Sequence, residues 1–505
     1  METKAMRMWM GCALSALSGA LLTLSFAPSD HWWLIWVALI PLLIARYRVL
    51  PPDWSALGPA IGVGGFTLGY FGGVFPAAAA WYMKALPALV AGVILLTARG
   101  GRADRDRRGY AFWPVAGATA WVASELLRMF IPALGTWGFL GYALYRQPWL
   151  IQPVRWVGIF GLDLLIVLVN HALAMAAIAW LDRRGLFEAP VIVRPQHAAR
   201  WCAAALGILT IWCGFALLVE RSAGGSTVRV AALQPGVRRG DVGLTPEARD
   251  RGMLDRLAAQ TRQAAAGGAR LVVWPEAALA VDPAINYRSE LASLARATGT
   301  TLVVAYAMRT PAGLRNEAVT VEPDGTFVGR YGKDHPVGFL GGTSVSRGTY
   351  PTVAAHLGGA ETTLATMICA DGDFTDTGRK LAHNGAKVIA LPSADWPAIA
   401  SKHYTLSIFR ALETGAALVK SEYKLDSVIV DGYGRIVASA VTPAGAPAVL
   451  VADVPLRAGL PLAVRLGDWV GWLCVAGLIV RALWSLRRAR QAAPVESTSM
   501  AAEPT

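Results

Sequence analysis

Long apolar segments, separated by connections that carry arginine, constrain this chain more than any other feature of its sequence. They crowd into the first 220 residues and return once near the C-terminus. Since the hydrocarbon core of a bilayer is ~30 Å thick and takes roughly 20 residues of helix to cross, the pattern predicts eight membrane spans. The first begins at Met8, and the others lie at residues 32–44, 57–78, 85–97, 111–131, 157–181, 203–219 and 464–483.

The composition agrees with a membrane protein. A hydrophobic fraction of 54% with only 16% charged residues is untypical of a soluble enzyme of this length. A net charge of +13 would also suit a nucleic-acid-binding protein. The arginines, however, lie just outside the apolar segments, where they determine topology. The sequence therefore predicts a bilayer as partner and no nucleic acid.

Lysine and arginine fall at alternate connections between the predicted spans. They are Lys4 and Arg7; Arg46 and Arg48; Arg99, Arg102, Arg105, Arg107 and Arg108; Arg183, Arg184, Arg194 and Arg200; and Arg481, Arg487, Arg488 and Arg490. Positive residues that flank a span are retained in the cytoplasm. With eight spans both termini are cytoplasmic, and residues 220–463 are expected outside the cytoplasm.

From residue 227 the sequence alternates short β-rich runs with helical stretches, which predicts a layered α/β domain. The expected strands are residues 228–233, 270–274, 301–305, 363–368 and 387–391, and the clearest helices are 246–266 and 288–297. We therefore expect a membrane domain of about seven helices at residues 1–220, a catalytic domain at 221–460, a transmembrane helix at 461–486 and a disordered cytoplasmic tail at 487–505.

One cysteine differs from the others in its surroundings. Cys369 ends an apolar run and opens a turn rich in Gly and Asp, whereas Cys12, Cys202, Cys213 and Cys474 lie inside apolar segments, where a thiol behaves as a small hydrophobe. The stretch is compatible with a catalytic nucleophile and with a buried structural cysteine. The irregular spacing of the five cysteines predicts neither a disulfide framework nor a metal site.

Two further stretches favour the nucleophile. Glu276 follows the expected strand at 270–274, and Lys333 follows an expected hairpin. A thiol is a poor nucleophile at neutral pH until a base removes its proton or a cation stabilises the thiolate. Glu276 is a candidate base, and Lys333 is a candidate cation that could also hold the oxyanion of an acyl intermediate. Together the three residues predict covalent acyl chemistry.

The motifs V-V-W-P-E at 272–276, G-R-Y-G-K at 329–333 and M-I-C-A-D at 367–371 resemble the Glu-Lys-Cys signature of the nitrilase superfamily of carbon–nitrogen hydrolases. With spans on both sides of this domain, and with G-I-F-G-L-D-L-L-I-V-L-V-N at 158–170, the chain resembles the apolipoprotein N-acyltransferase family. This resemblance implies a multi-span helical membrane bundle with an extracytoplasmic αββα sandwich. It also implies location in the cytoplasmic (inner) membrane of a bacterium, with the catalytic domain on the periplasmic side.

The resemblance also implies an activity. Cys369 would take an acyl chain from a phospholipid as a thioester and pass it to the N-terminal cysteine amine of a diacylglyceryl-modified lipoprotein, with Glu276 as base and Lys333 at the oxyanion. It places four residues in the pocket or around it: Trp274, Asp371, Arg410 and Glu413. No cofactor is expected, and the protein is expected to be a monomer.

Four departures from the family pattern fall around the expected pocket. The segment at 336–342 lacks the glutamate that the family usually carries after its lysine, and Ala370-Asp371 replaces Tyr-Glu. Residues 393–397, S-A-D-W-P, replace S-N-D-A-W-F, and residues 420–427 replace an R-x-T-N-x-G-I-T stretch. Whether the changes near Gly341 and at 420–427 abolish or redirect activity is left open by the sequence. The alternatives are a membrane-tethered amidase, a transferase to another amine, and a catalytically silent lipid- or lipoprotein-binding protein.

Three histidines of the outer domain invite a metal interpretation. His335, His383 and His403 do not share a ligand spacing on one element. The prediction is that no metal is bound.

Overall fold

The computed structural model describes residues 4–72, 74, 110–187, 191–221, 226–337, 343–357, 360–457 and 459–491. The span expected at 85–97, the arginines at 99–108, residues 338–342 around Gly341 and most of the expected tail lie outside these ranges.

Seven α-helices are present among the described residues of the N-terminal part. They are α1 (Lys4–Ser25), α2 (Ile40–Ile44), α3 (Leu57–Phe71), α4 (Trp113–Met129), α5 (Pro148–Ile151), α6 (Val154–Arg183) and α7 (Pro195–Arg221). Another long helix, here α14 (Trp469–Gln491), follows the outer domain. Within the described residues, five helical stretches are long and apolar enough to cross a membrane: Lys4–Ser25, Trp32–Val49, Val154–Arg183, Pro195–Val219 and Trp469–Arg487.

Three of the predicted spans have a different local form. The stretch Trp32–Val49 is not one regular helix, because 3-10 and π-helical turns flank the short α2. The helices α3 and α4 have 15 and 17 residues, fewer than a perpendicular crossing requires. The count of eight spans therefore stays a prediction.

Polar side chains inside the membrane part bind backbone groups. Asp163 of α6 accepts from the backbone N–H groups of Leu140 (3.0 Å) and Gly141 (2.6 Å). Asn170, two turns further along the helix, accepts from the N–H of Leu39 at 2.9 Å. Unpaired backbone donors are costly where water is absent, so these side chains stabilise the irregular segments that pack against α6.

The outer domain contains twelve strands among the described residues. They are β1 (Thr227–Gln234), β2 (Leu271–Val273), β3 (Thr301–Thr310), β4 (Gly313–Val321), β5 (Phe327–Gly332), β6 (Thr352–Leu357), β7 (Ala360–Thr366), β8 (Val388–Pro392), β9 (Ala417–Ser421), β10 (Asp426–Val430), β11 (Ile436–Val441) and β12 (Ala448–Pro455). The helices are α8 (Pro246–Ala266), α9 (Pro283–Asn286), α10 (Arg288–Thr298), α11 (Asp376–His383), α12 (Pro397–Thr414) and α13 (Leu462–Leu466).

The strands form two six-stranded sheets, ordered β12-β1-β2-β3-β4-β5 and β11-β10-β9-β8-β7-β6. The central strands of each sheet, β1-β2-β3 and β7-β8-β9, run parallel, and the outer pairs are antiparallel. Three of the parallel strands, β2, β8 and β9, are buried along their whole length, which explains their largely apolar sequences.

The sheets pack face to face, with helices on both outer faces. One face of the first sheet packs on α8 and α10, through residues such as Val272, Leu257 and Leu294. The second sheet packs on α11 and α12, whose apolar side chains include Leu381 and Phe409. The predicted αββα arrangement is therefore confirmed, and it brings the ends of β2, β5 and β7 to one region.

Candidate active site

The carboxylate of Glu276 lies three residues beyond the end of β2, and two side chains converge on it. Lys333 Nζ donates to Glu276 Oε1 at 2.8 Å, and Asn316 Nδ2 donates to the same oxygen at 2.6 Å. The backbone N–H of Glu276 donates to Ser393 O at 3.2 Å, which joins this segment to the second sheet. All three side chains are buried, so solvent weakens the ion pair little.

The antiparallel hairpin of β4 and β5 places Lys333 beside Asn316. The lysine directly follows β5, and its backbone N–H donates to Asn316 O at 3.0 Å. Burial alone lowers the pKa of a lysine, but the charge of Glu276, helped by Cys369 and Asp371, outweighs burial and raises the pKa of Lys333. The ammonium is therefore charged at neutral pH.

Cys369 opens a 3-10 turn, Cys369–Asp373, and lies three residues beyond the end of β7. Its φ is +49°, a left-handed conformation that costs a non-glycine residue of the order of 1–3 kcal/mol. Cys369 as a whole residue is 7% exposed, and its Sγ donates to Asp395 Oδ1 at 3.8 Å. Burial, followed by the charge of Glu276, raises the pKa of the thiol well above its usual range, although Lys333 opposes the effect. The resting sulfur is therefore a neutral thiol that needs a base.

Asp371 joins the lysine loop to the cysteine turn. Its carboxylate accepts from Tyr331 Oη at 2.7 Å and from three backbone N–H groups. These are the N–H groups of Asp334 at 3.0 Å, His335 at 2.6 Å and Ile368 at 2.8 Å. The side chain is fully buried, so this carboxylate determines how the segment after Lys333 sits against the turn that carries Cys369.

Replacing Asp371 with alanine is expected to lower both stability and activity. Three buried N–H groups lose their acceptor, and each unsatisfied donor costs about 1–3 kcal/mol. We expect the free energy of unfolding to fall by about 3 kcal/mol or more, measured by denaturation of the detergent-solubilised protein. Asp371→Asn keeps one acceptor oxygen, so its free energy of unfolding should lie between those of Asp371→Ala and the wild type. Equal stability of Asp371→Ala and the wild type would contradict this assignment.

Asp395 is a second buried carboxylate beside the thiol. It binds His403 Nδ1 at 2.8 Å and Lys420 Nζ at 2.7 Å. Burial opposes ionisation, but the charges of His403 and Lys420 outweigh it and hold the pKa of Asp395 well below its usual range. Lys420 also binds Asp426, so Asp395, Lys420 and Asp426 form a buried network of ion pairs next to Cys369.

The other predicted pocket residues have different surroundings. Trp274 is fully buried in the core between the first sheet and α8, and its indole N–H donates to Thr261 Oγ1 at 3.1 Å. Arg410 and Glu413 form an ion pair of 2.9 Å on α12. Glu413 Oε1 accepts from the N–H of Ile159 at 2.9 Å, beside the non-helical Gly158 of α6. These contacts place the pair at the junction with the membrane part, not at the thiol.

Sequence reasoning missed several residues of the site. Asn316, Asp395, His403 and Lys420 lie at or near the triad, yet they were not selected as site residues. The available signals are Arg315-Asn316, which fits the family pattern, and the stretch 393–397, which departs from it. Their roles depend on contacts between distant strands, which no local pattern shows.

Two groups of ligand-type side chains occur among the described residues. One contains Cys369, Asp395 and His403, and the other contains Asp334, His335 and Asp376. In each group a lysine ammonium binds one of the carboxylates. Lys420 Nζ lies 2.7 Å from the carboxylate of Asp395 in the first group, and Lys380 Nζ lies 2.7 Å from that of Asp376 in the second. Both arrangements are those of ion-pair networks.

Comparison with known proteins agrees with this architecture. Residues 18–172 match the apolipoprotein N-acyltransferase N-terminal domain, and residues 229–459 match the carbon-nitrogen hydrolase domain. The apolipoprotein N-acyltransferase of Geobacter metallireducens is 28% identical, covering 94% of this chain and 95% of that protein. That of Gloeobacter violaceus is 26% identical over 95% of each chain. An amidase from Nesterenkonia sp. has a TM-score of 0.37 and 23% identity, over 46% of this chain and 92% of the amidase.

A carbon–nitrogen hydrolase domain with a buried Glu-Lys pair and a cysteine turn, carried on apolar helices, defines a membrane-bound enzyme of the nitrilase superfamily. The two matched domains lie in this order in one chain, and the relatives align over nearly its full length. Over nearly its whole length the chain is similar to the apolipoprotein N-acyltransferases, and it is an acyltransferase.

Proposed function

We propose that this protein is a phospholipid-dependent N-acyltransferase. It moves an acyl chain through a thioester on Cys369 to the N-terminal cysteine amine of diacylglyceryl-modified lipoproteins. The observation that carries the proposal is the buried Glu276–Lys333 pair, at 2.8 Å, beside a cysteine held in a strained turn. The names of the relatives support a lipoprotein acceptor.

The first half-reaction is the attack of the thiol on the phospholipid ester. The Sγ–acyl bond forms, the ester C–O bond breaks, and a lysophospholipid leaves as an alcohol. Glu276 takes the thiol proton and returns it to the leaving oxygen. Its Oε1 is engaged by Lys333 and Asn316, so Oε2 is the proposed proton acceptor. Lys333 stabilises the oxyanion of the tetrahedral intermediate.

The second half-reaction is the attack of the lipoprotein amine on the thioester. The N–acyl bond forms, the S–C bond breaks, and Glu276 takes a proton from the nitrogen. That proton returns to the sulfur and restores the neutral thiol. Lys333 serves both tetrahedral intermediates, because both carry negative charge on the same carbonyl oxygen. Two half-reactions through one acyl-enzyme predict ping-pong kinetics.

The predicted topology gives both substrates access. Arginines at Arg46, Arg48, Arg183 and Arg184 follow apolar helices on the face that we assign to the cytoplasm. The catalytic domain is then on the periplasmic side of the inner membrane, where it reaches membrane-anchored donors and acceptors. Access from the bilayer requires no soluble lipid carrier.

A membrane-tethered amidase is the second candidate. The carbon-nitrogen hydrolase match favours it, because water or an amide could use the same triad. The missing glutamate at 336–342 also removes a supporting carboxylate that the acyltransferase pattern leads one to expect. The two candidates differ in their products: an amidase releases ammonia, and the acyltransferase releases lysophospholipid.

Intact-mass analysis tests the proposal. The purified full-length protein is incubated with a phospholipid and a diacylglyceryl-cysteine peptide. We expect the peptide to gain one acyl chain and lysophospholipid to appear in equal amount. Without peptide, the acyl chain should remain on Cys369. Ammonia release from simple amides, with no acylated peptide, would instead establish the amidase.

A further inference from the structure

The turn that carries Cys369 is fixed at its far end by the membrane part of the chain. Thr136, in the loop between α4 and α5, donates twice to Asp373 O, from its N–H at 2.9 Å and from Oγ1 at 2.7 Å. Gly135 lies so close that a Cβ atom there would be 2.8 Å from the same oxygen. The last residue of the turn is therefore held by a segment outside the α/β domain.

His403 connects the two ends of this turn. Its Nε2 lies 3.0 Å from Asp373 Oδ1, and its Nδ1 lies 2.8 Å from the Asp395 carboxylate that contacts the thiol. Burial disfavours the imidazolium, but the two carboxylates outweigh it and raise the pKa of His403 to about 10. The charged ring stacks on Trp137 of the same membrane loop, with ring centroids 5.5 Å apart.

We propose that Asp395 and His403 form a positioning chain for the Cys369 thiol. Thr136 and Trp137 complete the chain by holding the other end of the turn. The inference deepens the proposed function, because it rests on Cys369 as the nucleophile. In this arrangement the orientation of the sulfur depends on how the loop between α4 and α5, which carries Thr136 and Trp137, packs against α12.

The chemistry of Asp395 suits orientation rather than proton removal. The charge of Asp395 is balanced by His403 and by Lys420, which lies at 2.7 Å. The carboxylate therefore accepts a hydrogen bond from the S–H group but is a weak base. Glu276 remains the group that takes the proton. The carboxylate also repels a thiolate, so the thiol is held neutral until substrate and Glu276 meet it.

The membrane loop is tested with Thr136→Val, which removes the hydroxyl donor and keeps the shape and the backbone N–H. Single-turnover acylation of Cys369 at saturating phospholipid should slow about fivefold or more, because one hydrogen bond is worth about 1 kcal/mol. The KM for phospholipid should stay the same. Thr136→Ser keeps the hydroxyl and should restore the wild-type rate.

Tyr145→Phe is the matched control. It removes another hydroxyl that joins the membrane part to α12, through the bond of 2.9 Å to Tyr404, but it does not touch the turn. Its acylation rate should equal that of the wild type. If Thr136→Val and Tyr145→Phe slowed the reaction equally, or if neither did, the positioning role of the loop would be overturned.

Asp395 is tested with Asp395→Asn and the pH profile of Cys369 alkylation by iodoacetamide, followed on the Cys369 peptide by mass spectrometry. The charged groups that face the thiol are Glu276, Lys333, Asp395 and His403, and Asp395→Asn removes the negative charge nearest to the sulfur. Loss of this charge should move the midpoint of alkylation about one pH unit lower. Thr136→Val keeps every charge and should leave the midpoint in place. An unchanged midpoint in a folded Asp395→Asn variant would overturn the contact.

Alkylation needs no acyl transfer, so the two proposals fail separately. Undiminished transfer by a Cys369→Ala variant would remove the proposed function and, with it, this inference. A required Cys369 with wild-type rates and profiles in all these variants would overturn the positioning chain alone. Thermal unfolding of each full-length variant in detergent establishes that it is folded.

Discussion

Replacing Cys369 with alanine is expected to abolish acyl transfer. The variant loses the only group that the proposed mechanism acylates, so the barrier reverts to direct aminolysis of an ester by an amine. We expect a fall on the order of 10⁴-fold or more in the rate of lipopeptide acylation, comparable with the loss of the nucleophile in other covalent enzymes. Acyl-enzyme should be absent from the intact-mass spectrum.

Two matched substitutions separate chemistry from packing. Cys369→Ser keeps the size of the side chain but offers a hydroxyl, which is far less nucleophilic than a thiolate at neutral pH. It should be folded and almost inactive. Cys474→Ala removes another buried thiol, in α14, and should keep full activity. Substantial transfer by Cys369→Ala would show that acylation proceeds without the thioester.

Lys333→Met should give the second-largest loss, because it removes the ammonium and keeps the length of the side chain. The oxyanion loses its cationic donor, which typically costs ~10²–10³ in rate. In the part of the chain that the structure describes, Glu276 then has Asn316 as its one side-chain partner in a buried site. Breaking a buried pair in this way costs about 3–5 kcal/mol of stability. Rates come from lipopeptide acylation and stability from chemical denaturation in detergent.

The double variant Lys333→Met with Glu276→Gln makes the test specific. A neutral glutamine removes the uncompensated charge, so the double variant should be more stable than Lys333→Met alone. Its activity should stay at the lowest level, because both base and cation are gone. If the double variant were no more stable than the single one, the 2.8 Å contact would not be the ion pair described above.

The contribution of the Glu276–Lys333 pair to stability depends on pH in a way that follows from the direction in which the pKa of Lys333 is shifted. The pKa of Lys333 is raised in the folded protein, although burial opposes it, mainly by the charge of Glu276. A group of this kind contributes stability that is fully present below its unfolded pKa, about 10, and that is lost as pH rises through the higher folded value. The stability difference between wild type and Lys333→Met should therefore be constant from pH 7 to about pH 9.

Local patterns in the sequence predicted part of the outer domain. The helix expected at 246–266 is α8 with the same bounds, and the expected strands correspond to β1, β2, β3, β7 and β8. Buried parallel strands have continuous apolar runs, and amphipathic helices have a period of 3.6, so both are visible in one dimension. The edge strands β6, β11 and β12 were not predicted, and neither were β9 and β10, which lie inside the second sheet but carry charged residues in short runs.

The sequence by itself determined the membrane-bound class, the α/β domain and the candidate triad of Glu276, Lys333 and Cys369, because composition, periodicity and short motifs are local properties. Only the tertiary structure decided what surrounds the triad. It joins Asn316 to Glu276, Asp371 to the lysine loop and Asp395 to the thiol, and it places Arg410 and Glu413 at the membrane junction. These contacts link residues that are 26 to 254 positions apart, and their energies depend on burial, which the fold alone creates.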